Sequence, residues 1–552
     1  MFYKGVILDL DNTLYSYETC HSYAIESVFR FLKNTYPSVT NILPHYENIA
    51  KRLKKELINT ASCHNKSIYF KQLFERLNLG LEYFSTVHQL YWTSFYEKIE
   101  CYDGVKDFVQ WNASQNMKIA VLTDYETEYQ IVKLEKLGLL SYIDVIVTSE
   151  EIGKEKPSNQ LFLAVLNKMN LPSESVIMVG DNFEKDIVGA IDMNIFAYWF
   201  TQHLVKSDKY KTFDNYKTLL RDFQSMHDDL IQLKKISKYC GERFDLVQAG
   251  GGNTSVKTIN NWLVIKASGY NLTSVDTKNG YVVMDNKKLV HDIELNDVND
   301  VLTYNIIGTK RASIETFMHS ILQKYTVHLH PVQVNRVLIS NDARDIINKI
   351  YPNSLVIDYL TPGIKVCDKI KELYSGQKVI FLLNHGIIIT SDKIQEVYEL
   401  LEDILVKFEH EQQLSGFNRY KFTNNISSVI NSKFNLDNVT YLVEDSLINK
   451  YLIENKILFD TQVTFPDAVV YCGASKLYGL KYIDKSAECP KIIIENNFVY
   501  ITANSLAKCK DIEDVLKSEL IIVDSEMNKN YLLDTEIGFL NNWDAEKYRK
   551  TV

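Results

Sequence analysis

Four apolar runs punctuate the first 205 positions: GVILDL at 5–10, IAVLTDY at 119–125, IDVIVTS at 143–149 and SVIMVGD at 175–181. Continuous apolar runs of this length predict strands buried on both faces, and the amphipathic stretches between them predict helices. That alternation is the pattern of an α/β unit with a parallel sheet. Residues 16–100, between the first and second runs, have helical spacing and few Gly or Pro, which predicts a helical insertion over the sheet. Charged, helix-patterned residues then run to Gly241, a C-cap candidate. A second alternation begins near 226, through GGGNTSVK, WLVIKASGY, TVHLHPVQV and VIFLLNHGIIIT. In the last stretch VTYLVED, DAVVYCG and KIIIENNFVYITA read as strand-like segments between helical ones. The pattern places a first domain at 1–210, a linker at 211–227, a second domain at 228–434 and an extension at 435–552. No internal repeat links the two halves.

Composition changes this picture little. A chain of 552 residues is too long for one core, and 46% hydrophobic with 24% charged residues predicts folded, globular units throughout. A net charge of −9 without a basic block argues against nucleic-acid binding and leaves small anionic substrates open. The eight cysteines form no C-x-x-C pair, so reduced thiols in the cytoplasm are expected. The first residues, MFYKGVILDLDNTLY, show neither a signal-peptide pattern nor an 18-residue apolar span. A soluble cytoplasmic protein is therefore expected, with no membrane partner.

The first candidate site lies at strand ends. Asp9 and Asp11 stand two apart in LDLDNTLY; Thr123 closes VLTDY, Lys156 lies in EIGKEKPSN, and Asp181 and Asp186 lie in VGDNFEKDIVGA. The ends of strands in an open α/β sheet are where such folds bind ligands. The set offers a nucleophilic carboxylate, a second carboxylate for acid/base work, an acidic pair for a cation, and a hydroxyl and a lysine for phosphate. In this order and spacing the residues resemble the four motifs of the haloacid dehalogenase superfamily, over about residues 1–205. The resemblance implies a Rossmann-like domain in which Asp9 attacks the phosphoryl group and Asp11 serves as acid and base. Mg2+ would be held by Asp9, the Asp11 carbonyl and Asp181, with Asp186 supporting its water shell. Thr123 and Lys156 would bind phosphate, Lys156 being favoured over Lys154. The 16–100 insertion would be the family's C1 cap, and Asp11 marks a phosphatase rather than a dehalogenase.

The second candidate site is rich in histidine. His328 and His330 lie two apart on one predicted strand, and His385 follows another in LLNHGIII. Three neutral imidazoles with an open position suit a catalytic zinc, which can polarise a carbonyl. Glu315 in ASIETFMH is a candidate general base, and His319 lies four residues on, either supporting Glu315 or packing. AGGGNTS and KASG offer Gly250 to Gly252, Asn253, Ser268 and Gly269 as an anion cradle. Over about residues 226–430 these segments resemble class II aldolases and adducin relatives, most closely the aldolase part of bifunctional rhamnulose-phosphate aldolase/dehydrogenase proteins. Residues 435–552, including FPDAVVYCG and WDAEKYR, look like that group's C-terminal extension. The resemblance implies Zn2+ on His328, His330 and His385, Glu315 as acid/base, and Gly252, Asn253, Ser268, Gly269 and Ser313 around a phosphate. It also implies homo-oligomers. Ile314 departs from the family, which often carries a second small hydroxyl residue before the glutamate, and no dehydrogenase domain follows.

Together the two resemblances imply a bifunctional enzyme of small phosphorylated sugars. The leading reading is aldol addition of dihydroxyacetone phosphate to an aldehyde, coupled to Mg-dependent hydrolysis of the phosphate monoester. Two alternatives stand beside it: a sugar-phosphate dehydratase or epimerase working with the phosphatase, and a non-catalytic adducin-like interaction domain.

Overall fold

The structure, a computed structural model, describes residues 2–542 except 204, 206, 208, 308–309, 412–415, 461, 474–475, 487 and 525–530. The chain divides into two compact units, essentially residues 1–228 and 229–552.

In the first unit six strands form one sheet: β1 (Gly5–Leu8), β2 (Lys118–Thr123), β3 (Val145–Thr148), β4 (Val176–Gly180), β5 (Phe196–Phe200) and β6 (Tyr210–Phe213). Their order is β3-β2-β1-β4-β5-β6 and every pairing is parallel. β1 and β4 are buried at each position, as continuous apolar strands covered on both faces must be. Ile7, Ala120, Val147 and Met178 meet Phe162 and Val165 of helix Asn159–Met169 in the core. Strand order reverses direction between β1 and β4, the crevice where open sheets of this kind take ligands.

Residues expected as a linker at 211–227 are part of this unit's regular structure: 210–213 form β6 and 216–241 one helix. β6 is a four-residue edge strand in which only Phe213 is buried, too brief to show a pattern in the sequence.

The 16–100 insertion is helical: Tyr17–Thr35, Ile42–Glu56, Lys66–Arg76 and Phe84–Glu97. Ser16 caps the first by accepting the Thr19 N–H, and Asn65 caps the third by accepting the Ile68 N–H. The apolar stripes Ile42, Tyr46, Ile49, Leu53 and Tyr69, Phe70, Leu73, Phe74 follow the 3.6-residue period and are buried. Truncating Phe70, fully buried between these helices, to Ala would cost about 3–5 kcal/mol.

The second unit holds an eight-stranded sheet: β7 (Asn253–Lys257), β8 (Trp262–Lys266), β9 (Tyr281–Asp285), β10 (Asn305–Ile307), β11 (Tyr325–Leu329), β12 (Leu355–Ile357), β13 (Val379–Leu382) and β14 (Gly386–Ser391). The order is β10-β9-β8-β7-β11-β14-β13-β12, with β11 antiparallel to both neighbours. Residues 418–434 form a helix, and a four-stranded sheet follows in the order β15 (Val439–Leu442), β18 (Phe498–Ala503), β17 (Ile492–Glu495), β16 (Leu477–Tyr478).

One strand expectation is corrected here. DAVVYCG forms a helical turn at Ala468–Cys472, with Ala468, Val469, Val470 and Cys472 buried. A five-residue apolar run fits a buried helical turn as well as a strand, and periodicity cannot separate them. Of the extension's WDAEKYR motif, nothing lies within the described residues. No described helix is long and apolar enough to cross a membrane.

Candidate active sites

The first site is assembled at the C-terminal ends of β1, β2 and β4. Asp9 follows β1, with its N–H donated to the Val179 carbonyl of the neighbouring strand (2.9 Å). Asp181 follows β4, and Asp186 lies on the turn Phe183–Val188 that comes next. One carboxylate oxygen from each of Asp9, Asp181 and Asp186 lies within 4.8 Å of the others. The Thr13 hydroxyl sits between Asp9 Oδ2 (2.8 Å) and Asp181 Oδ1 (3.1 Å). Lys156 reaches the same cluster, its Nζ 2.5 Å from Asp9 and 2.7 Å from Asp186. Lys154 is exposed and Lys156 buried, which separates the two candidates.

Three carboxylates against one ammonium leave two negative charges in a buried place. Burial, with Asp186 and Asp181 nearby, pushes the Asp9 carboxyl well up despite Lys156. Burial and Asp186 likewise raise Asp181 to about 6. A hard divalent cation with oxygen ligands neutralises that excess, so the donor set fits Mg2+.

Asp11 stands apart from the cluster. Lys133 Nζ lies 2.7 Å from its Oδ1, Gln130 Nε2 donates to Oδ2 (3.2 Å), and the Tyr15 hydroxyl donates to Oδ1. Burial alone pushes the Asp11 carboxyl up, but the Lys133 charge and these hydrogen bonds outweigh it and hold it below its usual range. Thr123, the last residue of β2, is buried and accepts from Gln130 Nε2 (2.6 Å).

The second site lies at the end of β11. His328 is paired across the sheet with Asn253 on β7 and Ile388 on β14. His330 lies one residue beyond the strand and His385 in the turn joining β13 to β14. The ring centroids are 5.0 Å (His328–His330), 4.7 Å (His328–His385) and 5.3 Å (His330–His385) apart. One nitrogen from each ring lies within 4.8 Å of the others. A Cβ on Gly386 would stand 2.3 Å from the Leu329 carbonyl and 2.8 Å from His330 Cδ2, so only glycine lets the β14 backbone approach so closely.

Glu315 completes this group, with Oε2 3.1 Å from His328 Nδ1 and Oε1 3.6 Å from His385 Nε2. The 3.1 Å pair is close but outside hydrogen-bond geometry: both nitrogens of His328 and Nε2 of His330 are buried with no hydrogen-bond partner among the described residues. Buried nitrogens of this kind are costly unless something binds them. Burial pushes His330 down to about 4, so its ring is neutral, the form that ligates metal. The cluster therefore fits a Zn2+ ion held by three imidazoles with a position left open. Burial pushes the Glu315 carboxyl up, but the rings of His328 and His385 outweigh it and hold it far below the usual range.

The cradle residues are placed unevenly. Asn253 is buried beside His328, and Gly252 adopts a left-handed φ of 73° at the entry to β7. Ser268 and Gly269 lie on an exposed turn where no atom would stand within 4 Å of a Cβ on Gly269. Ser313 Oγ accepts the Glu315 N–H (3.3 Å), and Ile314 is 51% exposed.

Residues 6–200 match the family model described as haloacid dehalogenase-like hydrolase, and residues 232–406 match the class II aldolase and adducin N-terminal domain. A ribulose-1,5-bisphosphate 5-phosphatase of Halopiger xanaduensis is 31% identical over 191 residues, 34% of this chain and 80% of that one. The chain belongs to the haloacid dehalogenase-like hydrolases, fused to a class II aldolase-type domain. A glyceraldehyde 3-phosphate phosphatase of Methanothermobacter thermautotrophicus is 32% identical over 123 residues, 22% of this chain, which spans about half (52%) of that protein. A solved N-terminal class II aldolase domain from Thermoplasma acidophilum is 24% identical, covering 38% of this chain and 98% of that one, with a TM-score of 0.31.

Sequence reading missed several residues of both domains. In the hydrolase, Lys133 and Gln130 come from helix Thr127–Leu137, and Lys185 pairs with Asp124 (2.8 Å) and Glu155 (3.0 Å). In the aldolase-type domain, buried Lys266 donates to the Tyr270 carbonyl (2.9 Å), and burial lowers its ammonium. His319 is fully buried with Nδ1 2.8 Å from Ser255 Oγ. Its Nε2 is buried without a hydrogen-bond partner among the described residues.

Proposed function

We propose that the chain is a bifunctional sugar-phosphate enzyme, joining dihydroxyacetone phosphate to an aldehyde in the aldolase-type domain and removing the phosphate in the hydrolase. The observation that supports this reading is the presence, in one chain, of an all-oxygen and an all-imidazole cluster, donor types suited to different metals. The activities of the two phosphatase relatives, on ribulose 1,5-bisphosphate and glyceraldehyde 3-phosphate, support a small sugar phosphate as substrate.

In the hydrolase, Asp9 attacks phosphorus and the sugar hydroxyl leaves, taking a proton from Asp11. Water then attacks phosphorus, Asp11 takes its proton, and inorganic phosphate departs with Asp9 restored. The ionised Asp11 held by Lys133 corresponds to this second, base stage. Lys156 balances charge on Asp9, and Thr123 is poised beside the transferring group. Mg2+, when bound, offsets the phosphate's negative charge. In the aldolase-type domain, Glu315 removes the proton next to the carbonyl of dihydroxyacetone phosphate, that carbon bonds to the aldehyde carbon, and the proton passes to the former aldehyde oxygen, which becomes a hydroxyl, while Asn253, Ser268, Gly269 and Ser313 orient the phosphate. Zn2+, when bound, polarises the carbonyl and so acidifies the adjacent C–H.

The test supplies the purified chain with Mg2+, Zn2+, dihydroxyacetone phosphate and a panel of short aldehydes, following carbon products and phosphate together. Asp9→Asn should accumulate a ketose phosphate from which the unaltered chain releases inorganic phosphate. Phosphate release with no carbon–carbon bond formed would remove the aldol step and leave the hydrolase alone.

A further inference from the structure

A cavity of about 420 Å³ lies between the strand ends and the helical insertion of the hydrolase. Its two sides differ in how their charges are satisfied. On the strand side, Lys133, Lys156 and Lys185 each pair with a carboxylate. The insertion brings two more lysines, Lys54 and Lys66, and a single carboxylate, Glu18, which accepts from Asn12 (2.8 Å). Among the described residues, no carboxylate oxygen lies within 4 Å of either ammonium.

Lys66 is the unusual one, being 6% exposed. Its one hydrogen bond goes to the His64 carbonyl (3.3 Å), and its Nζ lies 4.8 Å from the Tyr69 ring centre and 5.8 and 5.9 Å from those of Tyr17 and Tyr91. Aromatic faces offset part of the desolvation of an ammonium but carry no full charge. Two of its three protons have no acceptor among the described residues. Burial, then Lys54 and Lys133, lower its ammonium to about 7. Burial and the same Lys66 and Lys54 charges push the neighbouring His21 down to about 3. A buried amine without a counter-ion, facing a substrate chamber, gains the partner it lacks when an anion binds.

We propose that Lys66, together with Lys54, holds a second phosphate of the substrate, so that the hydrolase acts on small bisphosphorylated sugars or polyols. One phosphate rests against the insertion while the other meets Asp9. Two ammonium groups match the two charges of a phosphate dianion, where a carboxylate would leave one over. The inference rests on the phosphatase reading and adds its substrate class.

Phosphate release by the full chain with Mg2+ tests it, comparing glucose 1,6-bisphosphate, which offers no ketose to the aldolase-type domain, with glucose 6-phosphate and 3-phosphoglycerate. The bisphosphate should be preferred in kcat/KM by about 10–100-fold, the worth of one or two charge-assisted hydrogen bonds. Lys66→Met should reduce that preference about tenfold or more, through KM rather than kcat, and Lys66→Arg should restore most of it. Lys54→Met, on an exposed helix face, should reduce it by a smaller factor, which guards against misfolding of the buried variant. Equal turnover of bisphosphate and monophosphate, or a preference that survives both variants, would overturn the second-phosphate assignment alone. A preference for 3-phosphoglycerate would overturn it in favour of a carboxylate. No release from any ester, p-nitrophenyl phosphate included, would overturn the phosphatase reading and this inference with it.

Discussion

At the ends of β1 and β4 three carboxylates meet one lysine, whereas at the end of β11 three imidazoles meet one glutamate. The carboxylate cluster is already cross-linked by Lys156 and Thr13, so much of its geometry is fixed by the protein's own charges. The histidine cluster has little such support: His328 and His330 keep buried nitrogens without hydrogen-bond partners. The difference teaches what an ion would contribute to each. In the first site a bound cation would remove an excess charge from a framework that stands without it. In the second it would supply the contacts that the rings do not make for each other.

Substitutions that sever one site and spare the other are the strongest way to break this comparison. Asp9→Asn removes the nucleophile and should lower phosphate release at least about 10³-fold, with carbon-bond chemistry in the aldolase-type domain retained. A parallel fall in both activities would show the two sites to be interdependent. Glu315→Gln keeps the side chain's shape but not its basicity, and should slow carbon-bond formation by about 10²- to 10⁴-fold while zinc content and phosphatase rate stay level. Loss of zinc in that variant would assign Glu315 to metal holding instead.

A smaller effect sharpens the comparison through two carboxylates outside both metal-donor sets. Glu155, with His64 at 3.1 Å and Lys185 at 3.0 Å, is held down to about 2 although burial pushes it up. Glu242 has uncharged hydrogen-bond donors, Ser427, Asn424 and the Thr440 N–H, and burial pushes it up to about 7. Its folded value lies above the ordinary 4.5, so the folded chain binds the extra proton. Its contribution to stability is then complete below pH 4.5 and lost as pH rises to about 7, by about 3 kcal/mol. Glu242→Gln should remove this slope, so thermal melts of variant and parent should diverge from pH 4.5 to 7 in the variant's favour. Parallel curves would contradict it.

The pattern of this chain made some of these features legible and hid others for a physical reason. Asp9, Thr123 and Asp181 each end or follow a strand whose apolar run is continuous, and His328 and His330 are two apart, so local spacing announces them. The groups that tune them come from far along the chain. Lys133 lies 122 residues from Asp11, and no periodicity relates the two. Lys66 reads as an ordinary helix lysine until the fold encloses it beneath Tyr17, Tyr69 and Tyr91. The strand 210–213 and the turn 468–472 are not legible because four or five residues hold too little pattern to choose a conformation.

The most direct test of two separate metal sites is the zinc content of the purified chain after exposure to equimolar zinc and removal of loosely bound ion, measured by elemental mass spectrometry. The account predicts one zinc per chain in the unaltered protein and in Asp9→Asn, and a fall to near zero in His328→Ala, since losing one of three ligands weakens binding by more than about 10²-fold. Zinc unchanged in His328→Ala, or lost instead in Asp9→Asn, would contradict it.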